Sequence, residues 1–100
     1  MIKQYTLFLG LNDKIKKVQI INTLEAYKIL MNLLSGATIT ESTGFYKHED
    51  GTLVIEKSLQ IQILDFDNNL NINKLIEDLK TLFNQESIAV FESMIESRLM

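Results

Sequence analysis

The sequence predicts an α+β chain of the ferredoxin-like class, ordered β-α-β-β-α-β, with two helices on one face of a four-stranded antiparallel sheet. Three observations point there. Two segments, 22–36 and 71–85, carry apolar residues at helical spacing. Other segments alternate apolar and polar residues over strand lengths, most clearly 53–63. Between the two middle strands stand Asp50 and Gly51, a pair that favours a hairpin turn because glycine accepts positive φ. The expected strand order is 4-1-3-2, with the first and third strands central. With 100 residues, no proline and no change of composition along the chain, residues 1–100 are expected to form a single domain.

Each element has its own signal. In "QYTLFLG", Tyr5, Leu7 and Leu9 fall on one face and Thr6 and Phe8 on the other, until Gly10. Residues 11–21, "LNDKIKKVQII", are open to reading as a loop or as a strand extension. In "NTLEAYKILMNLLSG", Asn22 and Glu25 have capping-box spacing, and Leu24, Tyr27, Leu30, Met31 and Leu34 form an apolar stripe. Gly36 suits the left-handed residue after the last turn. Beyond the hairpin, Leu53, Ile55, Leu59, Ile61 and Ile63 share one face, opposite Val54, Glu56, Ser58, Gln60 and Gln62. Lys57 interrupts the apolar row, which predicts a bulge or a strand end at Lys57 and Ser58. The second helix, "INKLIEDLKTLFNQ", is capped by Asn71 and buries Ile72, Leu75, Ile76, Leu79, Leu82 and Phe83. "ESIAVFE" supplies the last strand. Ser93 and Glu96 again have capping-box spacing, so "SMIESRLM" is expected to end the chain as a short helix.

Composition removes several function classes. The net charge is −3, and the cations are nine lysines and the single arginine Arg98, with only "KIKK" locally basic, so nucleic acid is not the expected partner. No cysteine means no disulfide framework and no thiolate metal site. No apolar run approaches the ~18 residues of a membrane span, and the N-terminal apolar stretch is too short for a signal peptide, so the cytoplasm is expected. Isoleucine, lysine and asparagine supply 30 of 100 residues, a bias associated with AT-rich bacterial or phage genomes.

Topology narrows the site. Gly10 to Asn12, the hairpin from Lys47 to Gly51, and Gln85 to Ser87 all fall at one end of the sheet. The candidate ligand-binding residues are therefore Asn12, Lys16, Lys17, His48, Glu49, Gln85, Glu86 and Ser87. His48 is the only imidazole, which excludes a histidine pair or a multi-histidine metal site. "DFDNNL" echoes a calcium loop, but Leu70 stands where glycine is needed and Ile76 where a bidentate glutamate is needed. Neither a metal nor a cofactor is called for. Glu56 projects from the helix-free face of a central strand, a place for a ligand or an oligomer contact. Phe8, Val54, Glu56, Ala89 and Phe91 would make that face the seam of a homo-oligomer.

Several stretches, "LFLG" (7–10), "GATITESTGFY" (36–46), "EKSLQI" (56–61) and above all "FNQESIAVF" (83–91), resemble a family of uncharacterised bacterial proteins, a domain of unknown function. That resemblance implies the ferredoxin-like fold and supplies no activity. A weaker likeness, in topology and Gly44, is to the trimeric PII and CutA-type proteins; their nucleotide-binding residues are missing here. Acylphosphatases share the topology but need an arginine after the first strand, and RNA-recognition motifs need aromatic signatures absent from this chain.

No nucleophile–base combination, phosphate loop or arginine clamp is present. The expected function is therefore a non-catalytic bacterial or phage binding module, homo-oligomeric, taking a small ligand or a protein partner. One form of it is a phage antagonist of bacterial defence that sequesters a nucleotide signal or masks a host protein. The alternative is a small dimeric enzyme of the monooxygenase or isomerase type, with His48, Glu56 and Glu86 as acid–base residues.

Overall fold

A computed structural model of the chain describes residues 1–96 and 100. The elements are β1 (Ile2–Gly10), α1 (Thr23–Leu33), β2 (Thr38–Lys47), β3 (Leu53–Asp65), α2 (Ile72–Leu82) and β4 (Ala89–Ile95). They build one four-stranded sheet in the order β2-β3-β1-β4, antiparallel throughout. This is the ferredoxin-like arrangement with β1 and β3 central.

Period-two alternation on β1 and β3 makes the core. Tyr5, Leu7 and Leu9 lie beside Ile63, Ile61 and Leu59 in the ladder, all of them buried. Ala26 and Leu30 of α1, then Leu75 and Leu79 of α2 with Phe83 after it, complete the same cluster. Burying one such aliphatic side chain is worth roughly 1.5–3 kcal/mol, so this one-sided core sets the stability. Both helices start as their sequences require. The Asn22 Oδ1 accepts from the Glu25 N–H at 2.9 Å, and the Asn71 Oδ1 accepts from the Lys74 N–H at 3.1 Å.

Several local expectations are corrected. The α1 stripe is rotated: Ala26 and Leu30 face the sheet, while Leu24 and Met31 are exposed. A broad apolar arc does not say which part of it touches the sheet. On α2, Leu82 is likewise exposed. Gly36 is not left-handed, because α1 closes on extended Leu34, whose N–H donates to the Leu30 carbonyl. At Lys57 there is neither bulge nor strand end, since β3 keeps one register with β2 from Leu53 to Gln62. Ser93 lies inside β4, which runs to Ile95, and so caps no helix there; the rest of that tail includes residues 97–99, outside the described residues.

The reason Lys57 is tolerated also shapes the molecule. β1 ends at Gly10, opposite Ser58, but β2 and β3 continue as a two-stranded arm from Thr43–Lys57 out to Lys47–Leu53. The molecule is accordingly long, 48 × 25 × 23 Å. On the arm the helix side of the sheet is uncovered, and Phe45 and its cross-strand partner Ile55 are 75% and 64% exposed. Lys57 sits there in solvent. At the tip, Gly51 takes φ +87°, the His48 N–H bonds the Thr52 carbonyl at 2.9 Å, and the Asp50 carboxylate accepts from the Thr52 N–H.

Residues 11–21 form neither a strand extension nor an open loop. They fold back on themselves through an antiparallel bridge between Asn12 and Gln19. The Asp13 N–H bonds the Val18 carbonyl and the Lys17 N–H bonds the Asp13 carbonyl, both at 2.8 Å.

Candidate functional site

Where β1 stops and the arm continues, the helix-free side of the sheet carries a pocket of about 380 Å³. The turn after β1 lines it with Asn12, Asp13, Lys14 and Lys17, and the arm with Tyr46, His48, Val54 and Glu56. The segment entering β4 adds Gln85, Glu86 and Ser87. These three segments are far apart in sequence and meet because the split topology places them at one sheet end.

Glu56 ties the arm to the turn after β1. Its Oε2 accepts from the Asn12 N–H at 2.8 Å, across a sequence separation of 44. Gly10 lies close by on the neighbouring strand β1, and on the other side the cross-strand partner of Glu56 is Gly44. Asn12 is itself held, because its carbonyl accepts from the Gln85 Nε2 at 2.6 Å. Next to it, the Asn84 Nδ2 donates to the Asp13 Oδ2 at 2.7 Å and the Lys14 N–H donates to the Asn84 carbonyl at 3.0 Å. The turn after β1 is thereby fastened to the end of α2.

Asp13 organises that turn electrostatically. The Lys16 N–H first, then the Asn84 side-chain amide and the Ile15 N–H, hold its carboxyl below the usual aspartate range. A depressed folded-state value stabilises the ordered turn above the ordinary aspartate pKa, and that stabilisation is lost as pH falls through the depressed one. Amide hydrogen exchange in residues 15–17 is therefore expected to stay slow through the normal aspartate titration and to quicken only at lower pH. In Asp13→Ala it should be fast at every pH.

Of the expected site residues, Asn12, Lys17, His48, Glu56, Gln85, Glu86 and Ser87 border this pocket, whereas Lys16 and Glu49 do not. The Gln85 side-chain amide is used on the Asn12 backbone carbonyl. His48 packs edge-on against Tyr46, ring centroids 5.4 Å apart, so the arm offers an aromatic wall. Phe8, Ala89 and Phe91 lie on the same open face of the sheet, outside the pocket. The Phe8 and Phe91 rings meet edge-on at 5.7 Å, and Phe91 stays 61% exposed. Sequence reasoning missed Tyr46, Lys14 and Asp13. Tyr46 had a signal: its cross-strand partner is Val54, on the same face as Glu56.

A larger pocket of about 520 Å³ lies at the opposite end, between residues 33–38 and 62–70. Its buried carboxylate, Asp65, is already engaged, accepting from the Asn69 and Leu70 N–H groups at 3.2 and 3.1 Å. That bonding explains Asp65 as the brace of its loop. Among the described residues, no group of three or more histidine, cysteine or acidic side chains is placed to hold a metal, and no helix is long and apolar enough to cross a membrane.

No family model matches the chain. No curated protein matches it either. Two solved structures of a phage SAM lyase do. One, in complex with S-methyl-5'-thioadenosine, superposes with a TM-score of 0.66 at 26% sequence identity, covering 92% of this chain and 80% of the lyase. The other, in the apo state, gives 0.60 at 26% identity, covering 91% and 78%. The likeness to an unassigned bacterial family thus gives way to a likeness to a phage protein. It also overturns the expectation of a non-catalytic binder: the similar proteins are enzymes, and a catalytic reading is the better supported one.

Proposed function

We propose that this chain is a lyase that cleaves S-adenosylmethionine, breaking the bond between the sulfonium sulfur and the methionyl Cγ and releasing S-methyl-5'-thioadenosine. The observation that carries the reading is the Glu56 carboxylate, fixed by a backbone N–H in a pocket of a chain that matches a SAM lyase over 92% of its length. A pocket of 380 Å³ is within the roughly 300–1,000 Å³ typical of small-molecule sites.

The substrate explains why so little catalytic machinery suffices. A sulfonium is a ready leaving group, since the bonding pair moves onto sulfur and leaves a neutral thioether. The substrate's own carboxylate oxygen attacks Cγ as the C–S bond breaks, giving a five-membered lactone. Neither water nor an external base enters, and the ammonium charge is unchanged. Because carboxylate and sulfonium charges annihilate in the transition state, the reaction gains from partial removal of water and from holding the chain folded for attack. An anion placed at the sulfonium would favour the ground state instead. Glu56 therefore serves best at the ammonium, whose charge persists. The perpendicular Tyr46 and His48 rings offer the adenine one ring face to stack on, and Lys14 and Lys17 at the exposed rim draw in the carboxylate end.

The test is incubation of the purified protein with S-adenosylmethionine and mass spectrometry of the products. Release of S-methyl-5'-thioadenosine is expected, and S-adenosylhomocysteine should survive, since its neutral sulfur would have to leave as a thiolate. Intact S-adenosylmethionine after prolonged incubation at high enzyme concentration would overturn the proposal. Such turnover, in a phage, would withdraw the methyl donor from host methyltransferases, replacing sequestration as the route of defence antagonism.

The pocket is open on the helix-free side, beside exposed Phe8 and Phe91. A second copy of the chain seated on that face would cover the aromatic pair and exclude water from the pocket. Phe91→Asp is expected to convert an oligomer to a monomer in native mass spectrometry and to lower turnover, with the monomer still folded. A wild-type protein that runs as a monomer at micromolar concentration would remove this part of the proposal.

A further inference from the structure

Glu56 owes its position to two residues that need not touch a ligand themselves. A Cβ at Gly10 would lie 2.6 Å from the Glu56 Oε2 and 2.8 Å from its Cδ and Oε1. The carboxylate thus occupies the space a side chain on β1 would fill. Gly10 does not have the positive φ that would require glycine, so close approach is what this position demands. Just beyond it the chain leaves β1: the Leu11 N–H bonds the Lys57 carbonyl at 3.0 Å, which aims the Asn12 N–H at the Glu56 Oε2. The other side of Asn12 is fixed by Gln85, whose Nε2 donates to the Asn12 carbonyl at 2.6 Å and to the Phe83 carbonyl at 3.3 Å. Among the described residues no protein donor bonds the Glu56 Oε1. One carboxylate oxygen is held and the other is left for a ligand.

We propose that Gly10 and Gln85 are positioning residues that preset the Glu56 carboxylate, Gly10 by vacating the space it occupies and Gln85 by clamping the Asn12 peptide that bonds it. The proposal rests on the reading of Glu56 as the ammonium anchor. It distinguishes two residues that would otherwise pass for a strand-end glycine and a ligand contact.

The test combines Gly10→Ala and Gln85→Met, the latter keeping size while removing the donor, each made in the wild type and in Glu56→Ala. Because the group nearest the new methyl is the end of a flexible side chain, Gly10→Ala displaces the carboxylate and leaves the fold intact. A misplacement of this kind costs up to about 10²-fold, so kcat/KM for S-adenosylmethionine is expected to fall ~10- to 100-fold in either single variant. In the Glu56→Ala background neither substitution should cost anything more, since both act through Glu56. Losses that multiply with that of Glu56→Ala would overturn the proposal, as a general structural role predicts them. A second readout needs no substrate. Hydrogen exchange at the Asn12 amide should quicken in Glu56→Ala and in Gly10→Ala alike, and an unchanged rate in Gly10→Ala would overturn the role given to Gly10. Were the wild type to cleave no S-adenosylmethionine, the proposed function would fall while the exchange measurement still decided the positioning.

Discussion

Glu56→Ala is expected to lower release of S-methyl-5'-thioadenosine by on the order of 10²-fold while leaving the protein folded. The size of the effect follows from what Glu56 does in the proposed reaction. The methionyl chain is flexible, and ring closure needs its carboxylate oxygen behind Cγ, in line with the departing sulfur. An ammonium held at one fixed point removes most of the wrong rotamers. Stability should change little by comparison. Truncation leaves the Asn12 N–H without its partner, a loss of about 1 kcal/mol at a partly solvated site. Steady-state kinetics alongside thermal unfolding separate the two effects. A variant with wild-type kcat/KM would show that Glu56 is only a brace for the turn after β1.

The largest stability effect is expected at Leu7. It is fully buried on a central strand, between Ile61 on β3 and Val90 on β4. Replacing such a leucine by alanine costs about 2–5 kcal/mol, because the rigid sheet on either side cannot collapse into the space. For a chain of this size each kcal/mol lowers the melting temperature by roughly 4–8 °C. Leu7→Ala should therefore melt at least ~8 °C below the wild type by the same relation, and Ile55→Ala, on the exposed arm, should barely move. Calorimetry of the pair checks whether the one-sided core carries the fold.

The β-α-β-β-α-β order was readable because its signals are local. Alternation in 53–63, the glycine at the hairpin tip and the two asparagine caps each describe a few neighbouring residues. What could not be read depends on contacts between distant segments. Lys57 looked like a fault in an apolar row; the arm beyond β1 puts it in water. Gln85 looked like a ligand contact, and its side-chain amide is spent on the Asn12 backbone carbonyl, 73 positions away. Gly10 looked like a strand end, and its lack of a side chain makes room for a residue on the next strand. Tyr46 was passed over on an edge strand, where an aromatic needs no special reason. The enzyme reading was set below a binder because the sequence has no nucleophile–base pair. That inference assumed the protein must supply the reacting groups, whereas a substrate with its own nucleophile and leaving group needs chiefly to be held.

The unbroken register of β3 bears on how this chain can change length. Side chains on a strand alternate faces, so with Leu59 anchored beside Leu9, one residue inserted or deleted between Glu56 and Leu59 exchanges the roles of Ile55 and Glu56. The carboxylate would then turn to the solvated helix side of the arm and an isoleucine toward the pocket. At the tip, residues 48–52 belong to no strand and can lengthen without reaching the ladder. Variation in size among descendants of this chain should therefore gather at the tip of the arm. Within β3, a single-codon insertion or deletion would be selected against through lost activity even where the protein still folds.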